Sequence, residues 1–433
     1  MASHSPSQNK FMEKFLIRGS STKGVRGTLS CSGAKNAALP LMASSILFNS
    51  TVTLKNIPLG AKDIQTMIIL LKSLGSQIKI LKKKKILKIT NNKKHKLLVK
   101  YKYISTMRAG VLVMGALLGK YNKCSTALSG GCSLGPRPIG YHLAGFKKLN
   151  CKYILKQGYI NISANKGIKG NKYYFPKVSV TGTSNLILAS IFARGATVLK
   201  NISIEPEVLD LIKFLKNGGA KIYFEGKRTI KIYGVKKLKG HSHEVIGDRI
   251  EAFSYLCAAA ITRGKIKINK INPRYLRSEI KILKNIGCKI KINKTSIDLI
   301  RTNKLKPANI KTAPFPGFAT DCMPMMMAVL ARSNGKSKIE ETIFSNRYMA
   351  APELVRMGAK IYIKGSTATI IGENNFNGAD CISSDLRSTF AIILGAIAAE
   401  GKSCISRVYH GLRGYSDLYK NLKKIGVNIK RIN

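Results

Sequence analysis

Apolar positions along this chain follow two alternating habits. Runs that are apolar on nearly every side, as over 37–47, alternate with shorter runs that carry one apolar stripe and one lysine stripe. The first kind predicts a helix buried on all sides, and the second a helix packed by one face. The all-round runs fall at 37–47, 109–118, 185–193, 250–261, 323–331 and 386–399. Each is followed by an alternating strand, a striped helix and a strand hairpin. The striped helices close on Gly75, Asn150, Gly219, Gly287, Gly358 and Gly426, positions 68 to 75 residues apart. Such regularity means one βαβαββ unit copied six times. A unit of that size has little core of its own, so several must share one. The simplest packing is an α/β fold of two domains with three repeats each. From the repeat phase, residues 1–10 form a disordered polar tail, 11–34 join 247–433 in one domain, and 35–246 form the other. A short strand at 14–17 completes the first of these.

Charge changes this picture little. Lysine and arginine number 75 against 20 acidic residues, a formal net charge of +55, which ordinarily suggests a nucleic-acid or anionic-surface partner. The lysines are spread through every striped helix and hairpin, Trp is absent, and no aromatic residues interleave with basic clusters in the sequence. The reading is a solvated face with nonspecific attraction for polyanions and no specific nucleic acid. No signal peptide or anchor is legible at the N-terminus, and the longest apolar runs reach about half of the ~20 residues of a membrane span. Nine cysteines without disulfide spacing point to a reducing cytoplasm. His241 and His243 sit on a polar loop as solvent-exposed residues, so neither metal nor cofactor is expected.

Since the copies are alike, function lies in how they differ. The starts of the buried helices carry Lys35-Asn36, Met107-Arg108, 179–183, Asp248-Arg249, Thr320-Asp321, and Asp385 with Arg387. Ser179, Asp248, Thr320 and Asp385, taken singly, are equally ordinary N-caps. Capping does not explain Lys35, Arg108, Arg249 and Arg387, because a cation at a helix N-terminus opposes the macrodipole unless an anion is bound. Six such N-termini suit an anionic ligand. One loop breaks the repeat: Ser129-Gly130-Gly131-Cys132-Ser133-Leu134-Gly135-Pro136-Arg137-Pro138. Cys151, Cys257, Cys288 and Cys404 read as small buried hydrophobes. Cys132, between glycines and an arginine, is the candidate reactive thiol.

Those residues, together with Gly33-Ala34-Lys35-Asn36, Lys177-Val178-Ser179-Val180, 314–321, Asn346-Arg347, Asp385-Leu386-Arg387 and Arg413-Gly414-Tyr415, closely resemble the UDP-N-acetylglucosamine 1-carboxyvinyltransferase family of enolpyruvyl transferases. The resemblance runs from about residue 11 to the C-terminus. It implies a two-domain inside-out α/β barrel with the active site between the domains, and a place at the first committed step of peptidoglycan synthesis. The implied reaction moves the enolpyruvyl group of phosphoenolpyruvate to the 3-hydroxyl of UDP-N-acetylglucosamine and releases phosphate. Carried over by motif, Cys132 is the general acid, forms a covalent adduct with the donor, and is the thiol that fosfomycin alkylates. Asp321 faces the sugar hydroxyl. Lys35, Arg137 and Arg413 match the residues around the phosphoenolpyruvate phosphate, Arg347 and Arg387 those near its carboxylate, and Asn36 a further position that binds this donor. Asn36, Arg108, Arg137, Pro138, Ile139, Gly140, Tyr141, Lys177, Val178, Ser179, Val180, Asp321 and Ile343 match the UDP-sugar positions. Gly140 and Ser345 stand where acids are usual, Thr181 replaces a common glycine, and Met323 and Met325 replace usual glutamines. The sister enolpyruvylshikimate-phosphate synthase shares fold and donor but lacks the Cys132 loop.

Overall fold

The computed structural model describes residues 13–19, 24–105, 107–127, 139–372 and 375–432. The tail expected at 1–10 lies outside them. Two compact units divide the chain: residues up to Ser32 with those from Gly247 onward, and the residues from Gly33 to Ile246.

The unit from Gly33 to Ile246 is built around the helices Lys35–Ser44, Leu112–Tyr121 and Val180–Ser190, buried over nearly their whole length. Its outer helices Lys62–Leu74, Gly140–Lys148 and Pro206–Asn217 bury one face and turn their lysines to water. The other unit repeats the plan, with Arg249–Ile261, Met323–Leu330 and Leu386–Ala398 inside. Arg277–Asn285, Ala351–Arg356 and Leu418–Lys424 lie outside. A helix without a polar face can be covered only by putting sheets and amphipathic helices around it. Each unit accordingly has its own continuous apolar core.

Among the described residues each repeat owns one sheet. In the third, Lys172–Tyr174 runs parallel to Ala196–Lys200, which pairs antiparallel with Thr229–Tyr233, and Lys221–Gly226 forms the edge. Alternation sends Ile230 and Ile232 into the core and Lys231 and Tyr233 outward. Two sheets borrow a strand. Ser242–Glu244 returns to lie parallel to Val52–Lys55 and so opens the first repeat of its unit. Lys14–Gly19 sits between Ala399–Ser406 and Asn428–Ile432, supplying the hairpin strand the last repeat lacks. The first of these corrects the reading of His241 and His243 as solvent-exposed loop residues. His243 lies in a strand, is buried, and its Nε2 is 2.9 Å from Asp210 Oδ1; His241 is half-buried against Phe48 and Phe214.

The anchor of the repeat has a backbone cause. Gly75, Gly219, Gly287, Gly358 and Gly426 have φ between +86° and +114°, and Asn150 has +67°. A left-handed residue ends each outer helix, and Asn is the side chain that tolerates that region best. At the two crossings between units, a Cβ on Gly33 would lie 1.8 Å from the Asn56 carbonyl oxygen, and one on Gly247 2.2 Å from that of Lys270. Each unit thus begins with a strand-to-helix turn that only glycine fits.

Candidate active site

In the unit that starts its helices at Arg249, Met323 and Leu386, one carboxylate gathers two arginines. Asp385 Oδ1 accepts the N–H groups of Arg387 at 2.8 Å and Ser388 at 3.2 Å, fixing the start of Leu386–Ala398. Arg387, in that first turn and 3% exposed, donates to Asp321 Oδ2 from Nε at 3.1 Å and Nη2 at 2.8 Å. Its guanidinium lies 5.6 Å from the centre of the Tyr415 ring, whose hydroxyl is 2.7 Å from that of Ser254. Arg347, 2% exposed, donates from Nη2 to Asp321 Oδ1 and from Nε to the Thr320 carbonyl at 3.0 Å. Burial is the strongest single influence on Arg387 and opposes its charge, but the Asp321 carboxylate, the Tyr415 hydroxyl and Asp248 together outweigh it and hold the guanidinium firmly cationic. The Asp321 side chain keeps 27% of its surface open.

Asp321 is therefore no helix cap. It lies in the turn Thr320–Cys322, and the following helix starts at Met323 with Cys322 in the N-cap position and no side-chain cap. Thr320, read as a possible cap, instead donates its hydroxyl to Glu341 Oε2 at 2.9 Å. Ser179, Asp248 and Asp385 do cap. Met323 and Met325 are fully buried beneath the turn. Ile343 is exposed, and its N–H and that of Phe344 bind Glu341 Oε1. Arg413 is half-buried at the end of the turn Val408–Arg413. Arg249 lies 5.8 Å from the Phe315 ring.

In the other unit Lys35 Nζ is 3.1 Å from Asp63 Oδ2, with both side chains at most 10% exposed. Two of the four cations that oppose their helix dipoles thus have anions in the protein itself, Asp63 for Lys35 and Asp321 for Arg387. Sequence alone hid Asp63, because an acid in the first turn of an outer helix reads as an ordinary dipole partner. Asn36 beside Lys35 is exposed. Arg108 is half-buried at the start of the turn Arg108–Val111. Ile139 and Tyr141 are half-buried and Gly140 exposed, around the start of Gly140–Lys148. Among the described residues, and apart from its chain neighbours and its own helix backbone, no atom lies within 4 Å of where a Cβ on Gly140 would be. Lys177 and Val180 are exposed and Val178 and Ser179 half-buried, at the entry to Val180–Ser190. Cys132, Arg137 and Pro138 lie outside the described residues. Of the cysteines read as buried, Cys151, Cys257 and Cys288 are so, whereas Cys404 is half-buried.

Comparison with known proteins adds to this geometry. The family model described as EPSP synthase (3-phosphoshikimate 1-carboxyvinyltransferase) matches residues 20–422. A UDP-N-acetylglucosamine 1-carboxyvinyltransferase of Pelagibacter ubique is 48% identical, covering 98% of this chain and 100% of the relative. One from Endomicrobium trichonymphae is 42% identical over 97% and 100%. Among solved structures, the enolpyruvyl transferase NikO of Streptomyces tendae superposes with a TM-score of 0.87 at 19% identity, over 97% of this chain and 99% of that one. EPSP synthase of Acinetobacter baumannii superposes at 0.77 with 18% identity, over 97% and 100%. These two likenesses establish the fold. The full-length relatives and the family match establish more: the chain belongs to the UDP-N-acetylglucosamine 1-carboxyvinyltransferase family of enolpyruvyl transferases.

Proposed function

We propose that this protein transfers the enolpyruvyl group of phosphoenolpyruvate to the 3-hydroxyl of UDP-N-acetylglucosamine, releasing phosphate, in the cytoplasm as the first committed step of peptidoglycan synthesis. The observation that carries the reading is the Asp321 carboxylate, partly open to solvent and clamped by two buried guanidinium groups. The reaction is addition followed by elimination. C3 of phosphoenolpyruvate takes a proton while the sugar oxygen, giving its own proton to a base, attacks C2; the tetrahedral intermediate then loses a proton from C3 as it expels phosphate, which restores the C2–C3 double bond. It needs a base at the hydroxyl, an acid at C3 and cations for a highly charged donor. Asp321 is the base in this reading, and Cys132 the acid. Arg347 and Arg387 take the donor's carboxylate, Lys35, Arg137 and Arg413 take its phosphate, and Asn36 also contacts the donor. Planar guanidinium forks suit both anionic groups. The UDP-sugar rests on Asn36, Arg108, 137–141, 177–180, Asp321 and Ile343.

The family model alone leaves the acceptor open, since its description names shikimate chemistry. Likeness over nearly the full length to relatives named for the UDP-sugar, together with the Cys132 loop, favours that acceptor. The test is phosphate release from phosphoenolpyruvate. It should require UDP-N-acetylglucosamine; release with shikimate 3-phosphate instead would overturn the proposal.

Charge gives a lesser second reading. On the outward side of the third repeat's sheet, Tyr174, Tyr223 and Tyr233 are exposed among Lys172, Lys221 and Lys231. The sheet register makes this cluster, which the linear sequence does not display. It supports nonspecific polyanion attraction.

A further inference from the structure

Apart from Asn36, the proposed UDP-sugar positions of the Gly33–Ile246 unit fall in three segments from different stretches of chain. One starts at Arg108, one holds Ile139, Gly140 and Tyr141, and one is 177–180. A single buried polar chain joins all three. Asn185 is fully buried. Its Oδ1 accepts the N–H of Gly115 at 3.0 Å, which identifies the amide oxygen. Its Nδ2 donates to the Val111 carbonyl at 3.0 Å and to His142 Nδ1 at 2.8 Å. With Nδ1 accepting, the imidazole proton is on Nε2, which donates to the Thr181 hydroxyl at 3.3 Å. His142 is 2% exposed.

Each end of this chain lies next to a proposed contact. Val111 closes the turn that Arg108 opens. His142 follows Gly140 and Tyr141 in the first turn of their helix, and Thr181 follows 177–180 directly. The helices come close enough for the link because small residues allow it. A Cβ on Gly115 would lie 2.4 Å from the Asn185 carbonyl oxygen, and one on Gly119 2.5 Å from that of Leu188. A Cβ on Gly145 would lie 2.3 Å from Leu186 Cδ1. Burial first, and the Arg108 charge second, lower the His142 pKa to about 4, so the ring stays neutral and the proton assignment holds at neutral pH.

We infer that Thr181, His142 and Asn185 form a positioning strut that holds the Arg108, 139–141 and 177–180 segments in register for the nucleotide half of the UDP-sugar. The inference rests on the function proposed above. It assigns a task to Thr181, and it makes none of the three a catalytic residue.

Thr181→Val keeps the branched shape and removes the acceptor of the His142 proton, whereas Thr181→Ser keeps it. Losing one such buried hydrogen bond predicts an affinity loss of about 3- to 10-fold. By calorimetry, Thr181→Val should bind UDP-N-acetylglucosamine about that much more weakly, with Thr181→Ser close to the parent. In steady state, KM for the UDP-sugar should rise by the same factor, while kcat and KM for phosphoenolpyruvate change less than twofold. His142→Phe, which breaks both ring bonds, should weaken UDP-sugar binding at least as much. A parent protein that binds no UDP-sugar would overturn the functional proposal itself. A parent that binds it, with Thr181→Val and His142→Phe binding equally well, would overturn the strut alone. So would equal loss for both substrates, or lowered melting temperatures with unchanged UDP-sugar affinity, since these mark a merely structural role.

Discussion

Replacing Asp321 by Asn separates its charge from its shape. The carboxylate takes charge-assisted hydrogen bonds from Arg347 Nη2 and from Nε and Nη2 of Arg387. The amide keeps the volume but leaves two guanidinium groups, 2% and 3% exposed, without that anion. Removing one partner of a fully buried ion pair costs about 3–5 kcal/mol. Asp321 retains 27% of its side-chain surface in solvent, so water screens part of this, and about 2 kcal/mol is the better figure. For a domain of 150–250 residues that lowers Tm by about 4–8 °C. Turnover should fall by about 10²-fold or more if the carboxylate takes the sugar proton. Phosphoenolpyruvate affinity, measured with UDP-N-acetylglucosamine present, should hold or improve, because the competing carboxylate of the protein has been neutralised. At a hundredfold its Kd the donor adds about 2.7 kcal/mol, enough to return the variant to roughly the Tm of the unliganded parent. Calorimetric scans with and without donor, together with phosphate-release kinetics, read all of this. An unchanged Tm would refute the ionic clamp, and unchanged turnover would refute the proton role.

Among the described residues seven cysteines are buried, and burial drives their thiol pKa values up, to about 12 for Cys124, Cys151, Cys288 and Cys381. Burial thus sets these seven aside, and the motif singles out Cys132 over the half-buried Cys404, so fosfomycin should add once, at Cys132, as peptide mapping would show. Cys132→Ser should lose most activity, while Cys132→Asp should keep it and resist the drug; modification elsewhere with loss of turnover would remove Cys132 from the mechanism. His95 and His142 have pKa values lowered to about 4, chiefly by burial. The unfolded chain then binds more protons than the folded one between pH 4 and 6.5. Stability should be complete above about 6.5 and fall towards pH 4, by up to about 1.4 kcal/mol per pH unit for each histidine. His95→Gln should flatten that slope in chemical denaturation, and an unchanged slope would reject the assignment. Single-stranded DNA should bind weakly and release with salt, and Tyr223→Ala with Tyr233→Ala should weaken it further in fluorescence anisotropy. Sequence-selective binding at physiological salt would contradict the nonspecific reading.

Periodicity along the chain determined the repeat, the inner and outer helices and their order, because these depend on local pattern: a helix apolar all round has to be enclosed, and a helix that ends in a left-handed residue selects Gly or, at position 150, Asn. The motif around Lys35, Cys132, Asp321 and Arg413 was legible for the same reason, being written in contiguous residues. Tertiary structure decided which side chains meet. Asp321 and Arg387 stand 66 positions apart in the chain, and folding brings them to 2.8 Å in space. Lys35 and Asp63, and Asn185 with His142, likewise come together through packing of separate helices. Ser242–Glu244 becomes a strand only because Val52–Lys55 offers it an edge nearly 190 residues away. Such pairings follow from the closing of each core around its three helices, and no local pattern of polar and apolar residues encodes that closure.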